Sequence, residues 1–292
     1  MYKKEIKIFL ELSKIYEDLG DEIRATAYHN LAVKLKLNKF DELTEKSKNK
    51  IEEIKKTNKL KILEDLKKSK NIERRLNLVK IIGVGPKLAE KLVKNKIYTF
   101  ESFKKNYKDK TKLQEIGVKY YDKLKKKPSG ETVHSLISFL MRNLKIIKSL
   151  NLAGSFRTEK KDPNDIDLII TTSKGEIKLI LEFLEEAKIL KDYVKSGKED
   201  ILGVIYFQNN YYRIDIKVTK EKYLATYLLY FGSGKYFSKY IRGEAKKKGY
   251  KLNQFGLENL KTKKIKTFQK ERSVFNVLNI PYYTPKERRE LF

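Results

Sequence analysis

Apolar positions recur at helical spacing through the first half of the chain and at mixed helical and strand spacing through the second. Ile8, Leu12, Ile15 and Leu19 share one helical face, Gly20 ends that run, and Tyr28, Leu31 and Leu35 mark the face of the next helix. Further helices are expected over residues 47–56, 86–95, 118–126 and 131–150. Beyond residue 150, Ser173-Lys174-Gly175-Glu176 reads as a capping box opening a helix through Ala187, with Ile177, Ile180, Phe183, Leu184 and Ala187 on its buried stripe. Residues 204–207 and 212–218 read as strands joined by the turn Gln208-Asn209-Asn210. A last helix is expected over 235–248, stopped by Gly249 with Lys246, Lys247 and Lys248 at its negative end. The pattern is that of an α+β chain, all-helical first and mixed afterwards, with the lysine-rich turn Lys125-Lys126-Lys127-Pro128-Ser129-Gly130 as a joint.

Candidate chemistry sits on the mixed part. Gly154-Ser155-Phe156-Arg157 is followed by Asp165-Ile166-Asp167-Leu168-Ile169-Ile170. Side chains alternate along a strand, so Asp165 and Asp167 point to one side and Ile166 and Leu168 to the other. Such a pair alone fits a solvated sheet edge better. A third acid, Asp215, again lies between apolar neighbours in the strand Tyr212-Arg213-Ile214-Asp215-Ile216-Lys217-Val218. Three inward-facing acids on a buried sheet are costly without a cation. Carboxylates binding Mg²⁺ together with substrate phosphates are the usual solution, and an ion pair of this kind serves nucleotidyl transfer.

Charge points to the same class of partner. The 292 residues hold 67 Lys plus Arg against 38 Asp plus Glu, a formal net charge of +29, which suits a polyanion. Abundant Lys, Ile, Asn and Tyr also fit an AT-rich coding sequence. The absence of Cys excludes disulfides, zinc-thiolate sites and thiol catalysis, and only two His are available for imidazole chemistry. The start has no apolar segment of signal-peptide length and no stretch of about 18 apolar residues occurs, so a soluble intracellular protein is expected. Ile82-Gly83-Val84-Gly85-Pro86-Lys87-Leu88-Ala89 fits a helix-hairpin-helix turn: Gly83 and Gly85 let the backbone approach a phosphate, and Pro86 opens a helix whose free N–H groups face the anion. A plain tight turn has the same spacing, but Lys87, Lys91 and Lys94 at helical intervals favour DNA.

The order and spacing of these motifs resemble the X family of DNA polymerases, nearest to its β members, across almost the whole chain. Also similar are Tyr230-Phe231 with Gly232-Ser233, Phe237-Ser238-Lys239-Tyr240-Ile241-Arg242 and Pro281-Tyr282-Tyr283-Thr284-Pro285-Lys286-Glu287-Arg288. The resemblance implies a helical lyase-like domain over 1–70, a helix-hairpin-helix subdomain over 71–128, a palm over 129–220 and a nucleotide-selection, thumb-like subdomain over 221–292. It makes Asp165 and Asp167 ligands of two Mg²⁺ ions, with Mn²⁺ as a substitute, and Asp215 a ligand of the catalytic ion and partner of the primer hydroxyl. Arg213 would steady Asp215. Ser155 and Arg157 would hold the dNTP triphosphate, Tyr230, Phe231 and Gly232 would face its sugar, and Ser238, Lys239 and Arg242 would touch the incoming base, the template and the minor groove. Ser238 stands where the family has Asn, and Gly232 follows Phe231 without the family's intervening residue.

In the helical part the carbonyls of Val79, Ile81 and Val84 would hold Na⁺ or K⁺. The segment 43–54 aligns with the family's first hairpin but lacks both of its glycines; the alignment puts Lys50 at the lyase nucleophile, with Arg24 and Tyr28 near the 5′-phosphate and Lys46 and Lys48 as cationic neighbours. The expected function is gap filling in base excision repair on gapped or nicked DNA, with 5′-deoxyribose-phosphate lyase activity, by a monomer that hands its product to a DNA ligase. The expected location is the nucleus, or the cytoplasm or virion of a large DNA virus. Two other readings stay open: a nucleotidyltransferase acting on another nucleic-acid acceptor, and a non-catalytic DNA-end binding module.

Overall fold

The structure is a computed structural model and describes residues 2–174, 177–196 and 199–292. The fold is α+β, and the chain divides into two compact units, Met1–Lys119 with Leu291–Phe292, and Tyr120–Glu290.

The first unit is built from α1 (Lys3–Asp18), α2 (Glu22–Lys36), α3 (Glu45–Thr57), α4 (Lys61–Lys68), α5 (Lys70–Leu78), α6 (Pro86–Lys94), α7 (Phe100–Asn106) and α8 (Lys112–Tyr120). Phe9, Leu12 and Tyr16 of α1 meet Ala25, Tyr28, Leu31 and Leu35 of α2, and Ile51 and Ile54 of α3 close this core. The expected stop at Gly20 is real: its φ of +81° suits glycine and turns the chain into α2, where Asp21 accepts from the Arg24 amide. The helix expected over 118–126 lies earlier. It buries Gln114, Ile116 and Tyr120 and ends there, because the lysines that follow offer no apolar stripe; only a short 3₁₀ turn forms at Lys123–Lys125.

The second unit opens with α9 (Gly130–Asn143), capped by Ser129, whose hydroxyl accepts from the Thr132 amide. The expected continuation to residue 150 is wrong. After Asn143 the chain becomes β1 (Ile147–Leu152), because a six-residue segment with partners waiting in a sheet pairs more favourably than it coils. Then follow α10 (Gly154–Arg157), β2 (Ile166–Thr172), α11 (Lys178–Glu186), β3 (Leu190–Ser196), β4 (Asp200–Phe207) and β5 (Asn210–Lys220). The proposed capping box reaches into residues 175 and 176, outside the described residues; α11 itself begins after Ile177. The five strands form one mixed sheet in the order β1-β2-β5-β4-β3, with β2 and β5 parallel and the other pairs antiparallel. Val133, Leu136 and Leu140 of α9 and Ile180, Leu181 and Leu184 of α11 bury against Ile166, Leu168, Ile170, Ile214 and Ile216, which covers one sheet face.

The opposite face of β2 meets α12 (Leu224–Phe231), where Tyr227 packs on Ile169 and Ala153. Next come α13 (Lys235–Lys247), the small antiparallel sheet β6 (Tyr250–Asn253), β7 (Gly256–Asn259) and β8 (Ile265–Lys266), then α14 (Glu271–Val277) and α15 (Pro285–Leu291). Gly249, at φ +77°, follows α13 as expected. Among the described residues no helix is long and apolar enough to cross a membrane.

Candidate active site

Parallel pairing of β2 with β5 sets Asp167 directly beside Asp215. Burial alternates along β5, with Tyr212, Ile214, Ile216 and Val218 buried under the helices and Tyr211, Arg213, Asp215 and Lys217 on the other face. The two carboxylates therefore share that other face at the same level, and Asp165 lies just before β2 on the same side. The third element of the site is the turn into α10. Gly154 has φ +49°, and a Cβ built on it would stand 1.8 Å from Asp167 Oδ2, so only glycine lets the turn close on the carboxylate.

Negative charge is crowded here. Burial, then the neighbouring Asp165 and Asp215, push the Asp167 carboxyl up to about 7. Burial also raises Asp215, opposed by Lys217, whose Nζ lies 3.1 Å from Asp215 Oδ1 and 3.6 Å from Asp200 Oδ2. Arg213, expected to steady Asp215, instead reaches Asp165 at 3.7 Å, because Lys217 from the same strand face already holds Asp215. Among the described residues no three acidic or histidine side chains converge on one point. The two adjacent, all-oxygen carboxylates, one raised to about 7 by burial and by like charge, nonetheless fit the donor set of a hard divalent cation.

Ser155 is the second residue of α10, half-buried, and Arg157 ends the helix. The Arg157 guanidinium is already engaged within the unit. Its Nη1 donates to the carbonyls of Leu228 at 3.2 Å and Gly232 at 3.0 Å, and its Nη2 lies 2.6 Å from Glu271 Oε2. Glu271 also accepts from Arg288, which is fully buried, donates to the Ser233 hydroxyl at 2.9 Å and sits among the rings of Phe237, Phe275 and Tyr282. A triphosphate contact from Arg157 would thus ask a second role of a group bonded three ways. The sequence reading missed Glu271 and Lys217; the one signal for Glu271 was an isolated acid in a strongly basic C-terminal stretch.

Gly232 is needed where it stands, since a Cβ there would meet Arg157 Cδ at 2.6 Å. Tyr230 and Phe231 end α12 with rings edge to face at 4.9 Å; Lys217 Nζ lies 4.5 Å from the Phe231 ring centre, so the aromatic pair borders the carboxylates. Ser238 Oγ reaches the Tyr230 carbonyl at 3.4 Å, Arg242 Nε donates to the Ser238 carbonyl and its guanidinium lies over Tyr230, while Lys239 lies beside Tyr236. The structure brings Asp165, Asp167, Asp215, Arg213, Tyr230, Phe231, Ser238 and Arg242 into one neighbourhood of the second unit.

The two hairpins of the first unit differ in their free donors. At the second, Gly83 has φ +82°, its carbonyl accepts from Gln114 Nε2 at 2.9 Å, and added bulk would strike Gln114. Gly85 precedes α6 with open space on it and no side-chain cap, leaving the first-turn amides of α6, beside exposed Lys87, available to an anion. The Ile81 carbonyl already accepts from the Val84 amide at 3.0 Å; Val79 ends α5 as its C-cap. At the first hairpin, Thr44 caps α3 by accepting from the Ser47 amide at 3.3 Å, so a side chain occupies one of the donors that a phosphate would use. Lys50 is half-buried in α3, Lys46 is exposed, and Lys48 is paired with Glu45 at 2.8 Å, which offsets its influence on Lys50. Arg24 pairs with Asp21 at 2.8 Å and lies over the Tyr16 ring, which stacks on buried Tyr28 at 5.6 Å.

Comparison with known proteins places these parts. The family described as DNA polymerase beta thumb matches residues 227–289, and the family described as fingers domain of DNA polymerase lambda matches residues 76–125. The chain is 25% identical to DNA polymerase lambda of Arabidopsis thaliana over 97% of its own length and 61% of the relative's. It is 27% identical to DNA polymerase/3'-5' exonuclease PolX of Bacillus subtilis over 99% of its own length and 55% of that protein. It therefore spans less than two thirds of either. The Repair DNA polymerase X of African swine fever virus is 32% identical and is covered over 96% of its length by 59% of this chain. This chain belongs to family X of the DNA polymerases.

Proposed function

We propose that the chain is a template-directed DNA polymerase that fills short gaps during base excision repair. The observation that carries this reading is the side-by-side pair Asp167 and Asp215, with Asp167 pushed up to about 7 by burial and by its neighbouring carboxylates. Divalent ions, Mg²⁺ with Mn²⁺ as substitute, would be held by Asp165, Asp167 and Asp215 and would supply electrostatic stabilisation of the attacking and leaving oxygens. The protein's own side chains do the rest. Asp215 accepts a hydrogen bond from the primer 3′-hydroxyl and so orients its lone pair; Arg213 holds Asp165 in place; Ser155 and the turn at Gly154 receive the triphosphate; Tyr230 and Phe231 pack against the deoxyribose and leave no room for a 2′-hydroxyl. Ser238, Lys239 and Arg242 contact the base pair and template. Arg157 acts by tying α10 to Glu271, and any touch on the triphosphate is secondary to that.

The DNA would be gripped at Gly83, Gly85 and Lys87, with the carbonyls of Val79, Ile81 and Val84 around Na⁺ or K⁺. Residues 1–70 would act as the lyase domain: the Lys50 amine attacks the aldehyde carbon of a 5′-deoxyribose phosphate, water leaves, and the resulting imine permits elimination of the DNA 5′-phosphate. Arg24 and Tyr28 border that end. Residues 71–128, 129–220 and 221–292 would serve as fingers, palm and nucleotide-selection pieces. The protein would act as a monomer and leave a nick for a ligase. The test is extension of a primer on a one-nucleotide-gapped duplex with dNTPs or rNTPs, with and without Mg²⁺. Metal-dependent addition of the templated dNMP supports the reading; preferred rNMP addition would favour the other nucleotidyltransferase reading, and no addition would leave DNA-end binding.

A further inference from the structure

Tyr206 and Tyr211 are cross-strand partners at the tip of the β4–β5 hairpin, next to its two-residue turn, where Gln208 and Asn209 both take positive φ. Their rings lie 4.8 Å apart on one face of the hairpin. Tyr206 is 36% exposed. The ammonium of Lys191 lies 5.4 Å from the Tyr206 ring, and that of exposed Lys123 lies 5.0 Å from the Tyr211 ring. The nearby acids are engaged: Asp192 accepts from the Tyr120 hydroxyl at 2.6 Å, and Asp122 pairs with Lys125 at 2.9 Å. A cross-strand aromatic pair stabilises a hairpin by itself. That role explains the pairing, but it does not require a lysine over each ring or an exposed outer tyrosine.

Alternation along β5 puts Tyr211 on the same face as Arg213, Asp215 and Lys217. Four residues at a rise of about 3.3 Å set Tyr211 roughly 13 Å from Asp215. At about 3.4 Å per stacked nucleotide, that span is roughly four nucleotides. Aromatic faces interleaved with lysines bind unpaired bases, whose flat faces are free, whereas a duplex hides them.

We propose that Tyr206 and Tyr211, with Lys123 and Lys191, form a stacking pad for single-stranded DNA about four nucleotides from the end that reaches Asp215. The pad engages a frayed or unpaired 3′ segment and leaves a fully paired primer alone. Only the identity of that end rests on the polymerase reading; the pad itself does not.

The chain contains no Trp, so Tyr206→Trp installs a single reporter. Oligothymidylate should quench its fluorescence, and a blunt duplex of equal length should not. Tyr206→Ala should weaken oligothymidylate binding by roughly five- to a hundredfold, the range of one lost base stack, while duplex affinity stays within about twofold. Lys191→Ala, which leaves the ring pair intact, should weaken the single strand less and steepen nothing on the duplex. Absence of quenching with a folded Tyr206→Trp protein, or equal losses on single strand and duplex, overturns the pad and returns the surface to hairpin packing or to a protein partner. Persistent quenching in a protein that fails to extend gapped primers would sink the polymerase reading and keep the pad.

Discussion

Asp167 and Lys50 are the groups on which the two proposed reactions turn, and their surroundings differ. Asp167 is fixed from every side: the register of β2 on β5 places Asp215 beside it, Gly154 closes over it, and burial with like charge raises its proton affinity. Lys50 lies part-way along an α3 whose inner face is Ile51 and Ile54. Its neighbour Lys48 is neutralised by Glu45, and Glu53, one turn on, accepts from the Lys61 amide. The lesson is that buried charge is itself a functional signal, because folding must oppose it, whereas a half-exposed lysine in a chain with 67 basic residues carries no comparable mark.

The largest expected effect breaks the comparison at its strong end. Asp215→Ala should cut primer extension by roughly a thousandfold, since ion-assisted charge stabilisation is worth several kcal/mol, with gapped-DNA affinity within about twofold. Extension at the wild-type rate, in a steady-state gel assay, would remove the carboxylates from the reaction.

The weak end is tested next. Borohydride should trap the protein on DNA bearing a 5′-deoxyribose phosphate, and Lys50→Ala should lower the adduct about tenfold or more while clean-gap extension persists. Undiminished trapping moves the nucleophile to another lysine, Lys46 first. No trapping in the wild type makes the helical unit a binder of 5′-phosphates only.

Proton linkage measures how much opposing charge the carboxylate face of the sheet holds. Folded Asp167 keeps its proton to about pH 7, while the unfolded chain releases it near about pH 4. Between those values the folded state binds more protons than the unfolded one, so the metal-free protein loses stability as pH rises through this window and levels off above it. Melting temperatures in chelator should fall accordingly, Asp167→Asn should flatten the slope, and added divalent ions should restore stability at neutral pH. A melting curve that climbs from pH 4 to 7 would contradict the raised carboxyl.

The smallest effect concerns the first hairpin. Thr44→Ala should cost about 1 kcal/mol of stability, as lost N-caps do. Affinity for a 5′-phosphorylated end should not drop with it, whereas Gly85→Ala at the second hairpin should weaken duplex binding severalfold. A large loss of 5′-end affinity in Thr44→Ala would show that the capped helix does bind phosphate.

Much of this was legible in sequence, and the failures have physical reasons. The carboxylate strands could be read because alternation with buried Ile and Val fixes which side each acid takes. The tip turn is legible but shorter than expected: Gln208 and Asn209 take positive φ, while Asn210 already pairs with Phe207 as the first residue of β5. β1 reads as the end of a helix in sequence because its short apolar run carries no period of its own and is held by the hydrogen bonds of β2. β3 and β6–β8 went unread for similar reasons, being partly exposed or very short. Arg157 was legible as a basic residue in a phosphate-like turn, but its partner Glu271 is 114 residues away, a separation no local pattern spans.

Gly154 bears on how this protein can vary over time. Every amino-acid change reachable from a glycine codon by one base adds a side chain, and at this position the first carbon of any side chain would overlap the Asp167 carboxylate. No conservative neighbour exists, so the turn cannot drift through intermediate residues. Populations carrying this gene should show silent changes at codon 154 and essentially no replacements. A lineage that does replace it should also have altered Asp167, and with it the chemistry of the face.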